Sequence, residues 1–194
     1  MSPDRTGWEQ RYATDHAAGH RAPSAWVVER CAALPAGALV ADVAAGTGRH
    51  AAAVAGHGSR VIAVDFVEQA VAAARAGDPR VFPLVADATA LPFAAGTFDA
   101  VLVVNFLDRA LFPAFAALLR PGGWLVYETY TREHLALVAS GRARRPRDPA
   151  YTLEPGELPR LVAPLEVVAY REGLIRDDAA ERCVASVVAV KGEE

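Results

Sequence analysis

Leu39-Val40-Ala41-Asp42-Val43-Ala44-Ala45-Gly46-Thr47-Gly48 is the stretch that decides the fold. Its first half is a short β-forming apolar run broken by one acid. Its second half is made only of small residues, two of them glycines that can turn tightly and let a ligand approach the backbone. From Arg49 to about Gly56 the alanine-rich pattern turns helical. Strand, glycine turn and helix in that order open a βαβ unit. In open sheets of such units, ligands settle beyond the carboxyl ends of the strands.

The same alternation continues outward. Arg60 to Asp65 reads as a second strand and Val67 to Ala76 as a helix with Val67, Ala70, Val71 and Ala74 on one face. Gly77-Asp78-Pro79 stops that helix, and Val81 to Val85 gives a third strand. Ala100 to Val104 is continuously apolar, as a strand covered on both faces should be. Pro113 fits the first turn of a helix that ends near Arg120-Pro121-Gly122-Gly123, before a fifth strand from Trp124 to Glu128. Residues 131–152 read as a long surface loop and Pro155 to Leu161 as a helix. Val167 to Tyr170 and Cys183 to Val190 are close enough to pair antiparallel. The expectation is one domain over 1–194, a doubly wound α/β sandwich from 36, with residues 1–35 forming a helical lid across the ligand edge.

Composition excludes several other classes. With 53% hydrophobic and 22% charged residues, the chain has ample apolar content for a core. A net charge of −3 recommends neither nucleic acid nor an anionic membrane as partner. No apolar run approaches the roughly 20 residues of a membrane helix. Met1-Ser2-Pro3-Asp4-Arg5 lacks the basic start of a secretory signal, so the cytoplasm is the default expectation. Cys31 and Cys183 lack metal-ligand spacing and read as buried thiols, and no metal is expected. Lys191 is the only lysine and Asn105 the only asparagine.

Taken alone, the glycine turn leaves three readings open. Gly46-Thr47-Gly48-Arg49-His50-Ala51 fits the dinucleotide pattern G-x-G-x-x-A, with Asp65 about where a ribose-binding acid would fall. An S-adenosylmethionine (SAM) site and a merely structural turn fit as well. Asp42 before the turn and Asp87 after strand three favour SAM. A carboxylate accepts from an adenine amino group, at Asp87, as readily as from a ribose diol, at Asp65.

On these residues the chain resembles the class I SAM-dependent methyltransferases. Asp42 to Gly48 looks like their first motif, Val64-Asp65 their second and Ala86-Asp87-Ala88 their third. Phe98-Asp99-Ala100-Val101 and Leu119-Arg120-Pro121-Gly122-Gly123 look like the surroundings of their fourth and fifth strands. Ala44 departs from the glycine that many members carry. The resemblance implies a seven-stranded sheet with an antiparallel last strand and SAM as cofactor. It places SAM against Asp42, Ala44, Gly46, Gly48, Asp65, Phe66, Asp87, Ala88 and Asn105.

The acceptor end is less defined. Asn105, Asp108 and Arg109 after strand four, and Glu128 and Tyr130 at the end of strand five, are the candidates for catalytic work; Asp108 and Arg109 could equally pair with each other. The N-P-P-[YF] motif of amino-methylating enzymes is absent at Asn105-Phe106-Leu107-Asp108. Trp8 to Tyr12 resembles the opening helix of thiopurine and tellurite-resistance methyltransferases, so Trp8 and Tyr12 join Arg109 and Tyr130 as acceptor-side candidates. Arg142 and Arg145 lie in an arginine-rich stretch whose forks suit an anionic acceptor. The expected function is methyl transfer from SAM to a small molecule, with anions, thiols and chalcogen oxyanions as candidate acceptors. The alternatives are an NAD(P)-dependent oxidoreductase, a SAM-binding protein without transferase activity and an aminopropyl transferase.

Overall fold

A computed structural model describes residues 22–75, 78–177 and 180–193, together with Gly7, Trp8, Gln10 and Tyr12. These last four have helical backbone; the rest of the expected lid before residue 22, and Gly77 of the expected helix stop, lie outside the described residues. The chain then runs α1 (Ala25–Cys31), β1 (Leu39–Val43), α2 (Arg49–Gly56), β2 (Arg60–Asp65), α3 (Glu68–Arg75), β3 (Val81–Val85) and β4 (Phe98–Val104). It continues through α4 (Phe112–Leu118), β5 (Leu119–Tyr130), α5 (His134–Ala139), α6 (Leu158–Leu161), β6 (Glu166–Asp177) and β7 (Ala180–Val190).

The seven strands form one sheet in the order β3-β2-β1-β4-β5-β7-β6. Strands β1 to β5 run parallel to one another, and β7 runs antiparallel to both β5 and β6. The reversal of order between β1 and β4 is where the carboxyl ends of the strands open a crevice. Helices cover both faces. On one, Val27 and Cys31 of α1, Val54 of α2 and Ala74 of α3 pack on Val40, Ala63, Ala100 and Leu102. On the other, Phe112, Phe115 and Leu118 of α4 pack on Val43, Val101, Leu125 and Tyr127. Cys31 and Cys183 are buried free thiols.

Two departures from the sequence reading have long-range partners behind them. Strand β5 begins at Leu119, not Trp124, because Leu119 pairs with Phe98 and the Lys191 ammonium donates to the carbonyls of Ala116 (3.1 Å) and Leu119 (2.7 Å) at the end of α4. Within the expected loop 131–152, α5 is organised around buried His134. Its Nδ1 accepts from the Cys183 N–H (3.2 Å), so its Nε2 carries the proton and donates to the Arg145 carbonyl (2.8 Å). The expected helix from Pro155 contracts to Leu158–Leu161, and the β6–β7 hairpin is far longer than the apolar runs within it. No helix among the described residues is long and apolar enough to cross a membrane.

Candidate cofactor and acceptor site

At the end of β1 the chain turns sharply through two left-handed residues, Ala44 (φ 56°) and Gly46 (φ 56°), and reaches Gly48 (φ 73°) at the start of α2. Ala44 adopts the left-handed conformation without glycine's freedom, at a cost of about 1 kcal/mol. The two glycines serve different neighbours. A Cβ on Gly48 would lie 2.3 Å from the Ala74 Cβ, so its bareness lets α3 pack on the loop. A Cβ on Gly46 would lie 2.6 Å from the Tyr12 hydroxyl, which places that N-terminal tyrosine directly over the glycine loop. Trp8 stacks on Tyr12 at 6.0 Å between ring centroids.

Two acids underpin this loop in opposite ways. Asp65 is buried, and its Oδ2 accepts from the Gly46 N–H (2.8 Å) and its Oδ1 from the Val67 N–H (3.0 Å). It therefore ties the ends of β1 and β2 together. Burial raises its pKa, against the lowering effect of those backbone donors. Asp42 is 2% exposed and its Oδ2 has no hydrogen-bond partner. Burial pushes its carboxyl up to about 7; the Ala51 backbone donor and Arg49 act against that, and Asp65 adds to it. Phe66 is half-buried beside Asp65.

The ends of β3 and β4 complete the edge. Asp87 caps the 3-10 turn Ala88–Ala90, its Oδ1 accepting from the Thr89 N–H (2.8 Å) and hydroxyl (2.7 Å), with Ala88 packed below on the core. Asn105 follows β4 in the left-handed region (φ 59°), and its Oδ1 is buried without a partner. Asp42 and Asn105 thus close adjacent strands, each with a buried oxygen that accepts and finds no donor. Asp108 and Arg109 do not pair with each other. Asp108 accepts from the Ala110 N–H (3.0 Å), while Arg109 makes a forked bond to Glu157 (2.6 and 2.9 Å) and donates to the Thr152 carbonyl (3.0 Å). Each partner of that fork shifts the other: Arg109 is held up and Glu157 held down.

Glu128 ends up in a polar cluster that its sequence position did not disclose. It is fully buried; Oε2 accepts from the Ser24 hydroxyl (3.0 Å), the Ser186 hydroxyl (2.8 Å) and Arg171 Nη2 (3.0 Å), and Oε1 from Arg182 Nη1 (3.3 Å). The Ser24 N–H also donates to His50 Nε2 (3.0 Å), which requires a neutral imidazole there. Burial, reinforced by Arg49 and Arg182, pushes the His50 pKa down to about 3. Ser24, His50, Arg171 and Ser186 escaped the sequence reading. The available signals were a lone serine inside the apolar run Val184 to Val190 and a serine just ahead of a helix. Tyr130 packs on His134 (4.3 Å between ring centroids). Arg142 pairs with Glu181 of the β6–β7 hairpin, and Arg132 with Glu154. Arg145 is exposed. Among the described residues no group of three His, Cys, Asp or Glu is placed to hold a metal.

Residues 40–123 match a family model described as a methyltransferase domain. A SAM-dependent methyltransferase from Methanosarcina mazei superposes with a TM-score of 0.68 at 19% identity, covering 83% of this chain and 95% of its own. The fold is that of the class I methyltransferases. A SAM-dependent methyltransferase from Aquifex aeolicus shares it over 96% of this chain and 98% of its own, with a TM-score of 0.67 and 17% identity. In sequence, the demethylmenaquinone methyltransferase of Clavibacter sepedonicus is 38% identical over 120 residues, or 58% of this chain. The chain spans about half the length of the curated relatives it matches. A methyltransferase domain on this fold takes its methyl group from SAM, and the groups at the β1–β4 edge suit that cofactor.

Proposed function

We propose that the chain transfers the methyl of SAM to a small-molecule acceptor, with a quinol of the demethylmenaquinone type as the favoured class. The observation that carries the first half is the pair of buried, partnerless oxygens, Asp42 Oδ2 and Asn105 Oδ1, at the ends of adjacent strands. Buried acceptors without donors cost about 1–3 kcal/mol each, and a bound ammonium supplies what they lack. The quinol class rests on the sequence relatives, which are demethylmenaquinone methyltransferases.

SAM brings an already activated methyl on a sulfonium. Asp42 and Asn105 orient its amino-acid end, Asp65 the ribose and Asp87 the adenine, with Phe66 and Ala88 flanking the base. Trp8 and Tyr12 close over the glycine loop and exclude water. The chain's remaining task is to hold the acceptor atom in line within roughly 3 Å of the methyl, where positioning alone lowers the barrier substantially. Tyr130 and Arg145 remain acceptor-side candidates. Arg109 and Arg142 are held by Glu157 and Glu181 and are not needed for this reading.

Calorimetry of SAM and NADH against the full chain, followed by methyl-transfer assays on a demethylated naphthoquinol, a thiol and an oxyanion, tests both halves. SAM binding with turnover on the quinol is expected. NADH binding in place of SAM would overturn the cofactor reading, and turnover on the thiol or oxyanion alone would overturn the quinol class.

A further inference from the structure

Asn105 combines two unfavourable features in one residue. A non-glycine backbone in the left-handed region costs free energy, and so does a buried amide oxygen with no donor. Such features persist only where the surroundings over-determine them. Two hydrogen bonds flank Asn105 and do so. Its own N–H donates to the Glu128 carbonyl (2.8 Å), and the carbonyl of the next residue, Phe106, accepts from the Tyr127 hydroxyl (2.6 Å). Tyr127 is fully buried, with its ring against Phe112 (4.8 Å between centroids) and Phe115 (6.4 Å). A phenylalanine would satisfy that aromatic packing. The hydroxyl donates instead to the carbonyl next to Asn105.

We propose that Tyr127 is a positioning residue for the SAM site, its hydroxyl holding the Phe106 carbonyl so that Asn105 keeps the strained conformation that presents its amide. This rests on the reading of the β1–β4 edge as a SAM site. The phenol never touches the cofactor. It acts through one peptide unit, so its contribution to SAM affinity vanishes when the Asn105 amide is removed.

The test is a double-mutant cycle on the full chain, read as the Kd of SAM by calorimetry at a temperature where every variant is folded. Glycine is the right replacement at position 105, because it removes the amide without adding strain at φ 59°. Tyr127→Phe is expected to raise Kd about tenfold, the loss of one hydrogen bond's worth of organisation. Tyr127→Phe placed on Asn105→Gly is expected to change Kd by less than about twofold, because coupled residues are not additive. Tyr170→Phe, which removes a hydroxyl bonded to Glu172 on β6, is the control and leaves Kd unchanged. Asn105 is the only asparagine, so asparagine-selective 15N labelling gives one side-chain nitrogen signal. SAM should shift that signal in the wild type, and Tyr127→Phe should broaden or split it before SAM is added. An unchanged Kd in Tyr127→Phe, or losses that multiply in the double variant, would overturn the proposal while leaving the SAM site standing. A wild-type chain that binds no SAM would remove both.

Discussion

Two buried carboxylates at the same end of the sheet have opposite surroundings. Glu128, at the end of β5, accepts from two serine hydroxyls and two guanidinium groups. Asp42, near the end of β1, keeps one oxygen without any donor, and burial pushes its carboxyl up to about 7. A buried charge with a full set of partners is an architectural element, and it fixes α1, β5, β6 and β7 relative to one another. A buried acid with a missing partner is a place prepared for something that comes and goes. The β5–β7 edge is therefore finished by the chain itself, and the β1–β4 edge, on the proposed reading, by the cofactor.

The largest effect should come from the finished edge. Glu128→Ala leaves Arg171 and Arg182 facing each other without their shared anion and should cost about 4 kcal/mol in chemical denaturation. SAM affinity at a temperature where the variant is still folded should be nearly unchanged; a large loss there would break the division between the two edges. Asp42→Asn should do the reverse, weakening SAM by about 3 kcal/mol through the loss of a charged partner for the ammonium. Its stability effect follows from the direction of the shift. The folded-state carboxyl titrates at about 7, above its ordinary value of 3.8. The contribution to stability is full below pH 4 and disappears as the pH rises through 7. At pH 8 the ligand-free Asp42→Asn protein should thus melt higher than the wild type, a difference that shrinks toward pH 5. SAM needs the ionised acid, so its affinity should climb between pH 6 and pH 8 in the wild type and stay flat in Asp42→Asn.

Smaller effects sharpen the comparison. Asp65→Ala should weaken SAM by about 2 kcal/mol and also lower Tm, because this acid both faces the ligand edge and holds the Gly46 and Val67 amides. Unchanged SAM affinity would return Asp65 to loop architecture alone. Arg142→Ala should be the smallest, under about 2 °C in Tm and within about twofold in the acceptor's KM, since an exposed pair with Glu181 is largely screened by solvent. A KM rise of tenfold or more would instead draw acceptor recognition toward the β6–β7 hairpin.

The sequence by itself determined the βαβ alternation. β1, β2, α2 and β3 lie where the apolar runs and glycines put them, because each of these elements is specified by short-range periodicity and turn chemistry. The acids near the strand ends were legible as candidates for the same reason: ligands of open parallel sheets gather beyond the carboxyl ends of the strands. Tertiary structure decided what those residues are bonded to. Gly48 makes room for Ala74, Arg109 reaches Glu157, and Glu128 gathers Ser24, Ser186, Arg171 and Arg182 from segments up to 104 residues away. It also extended β5 through Pro121-Gly122-Gly123 and folded α5 inside an expected loop, with Lys191 and Cys183 supplying partners from the last strand and its end. Hydrogen bonds between distant segments leave no period in a sequence, so a buried carboxylate that is satisfied and one that waits for a ligand look the same until the sheet brings their neighbours in.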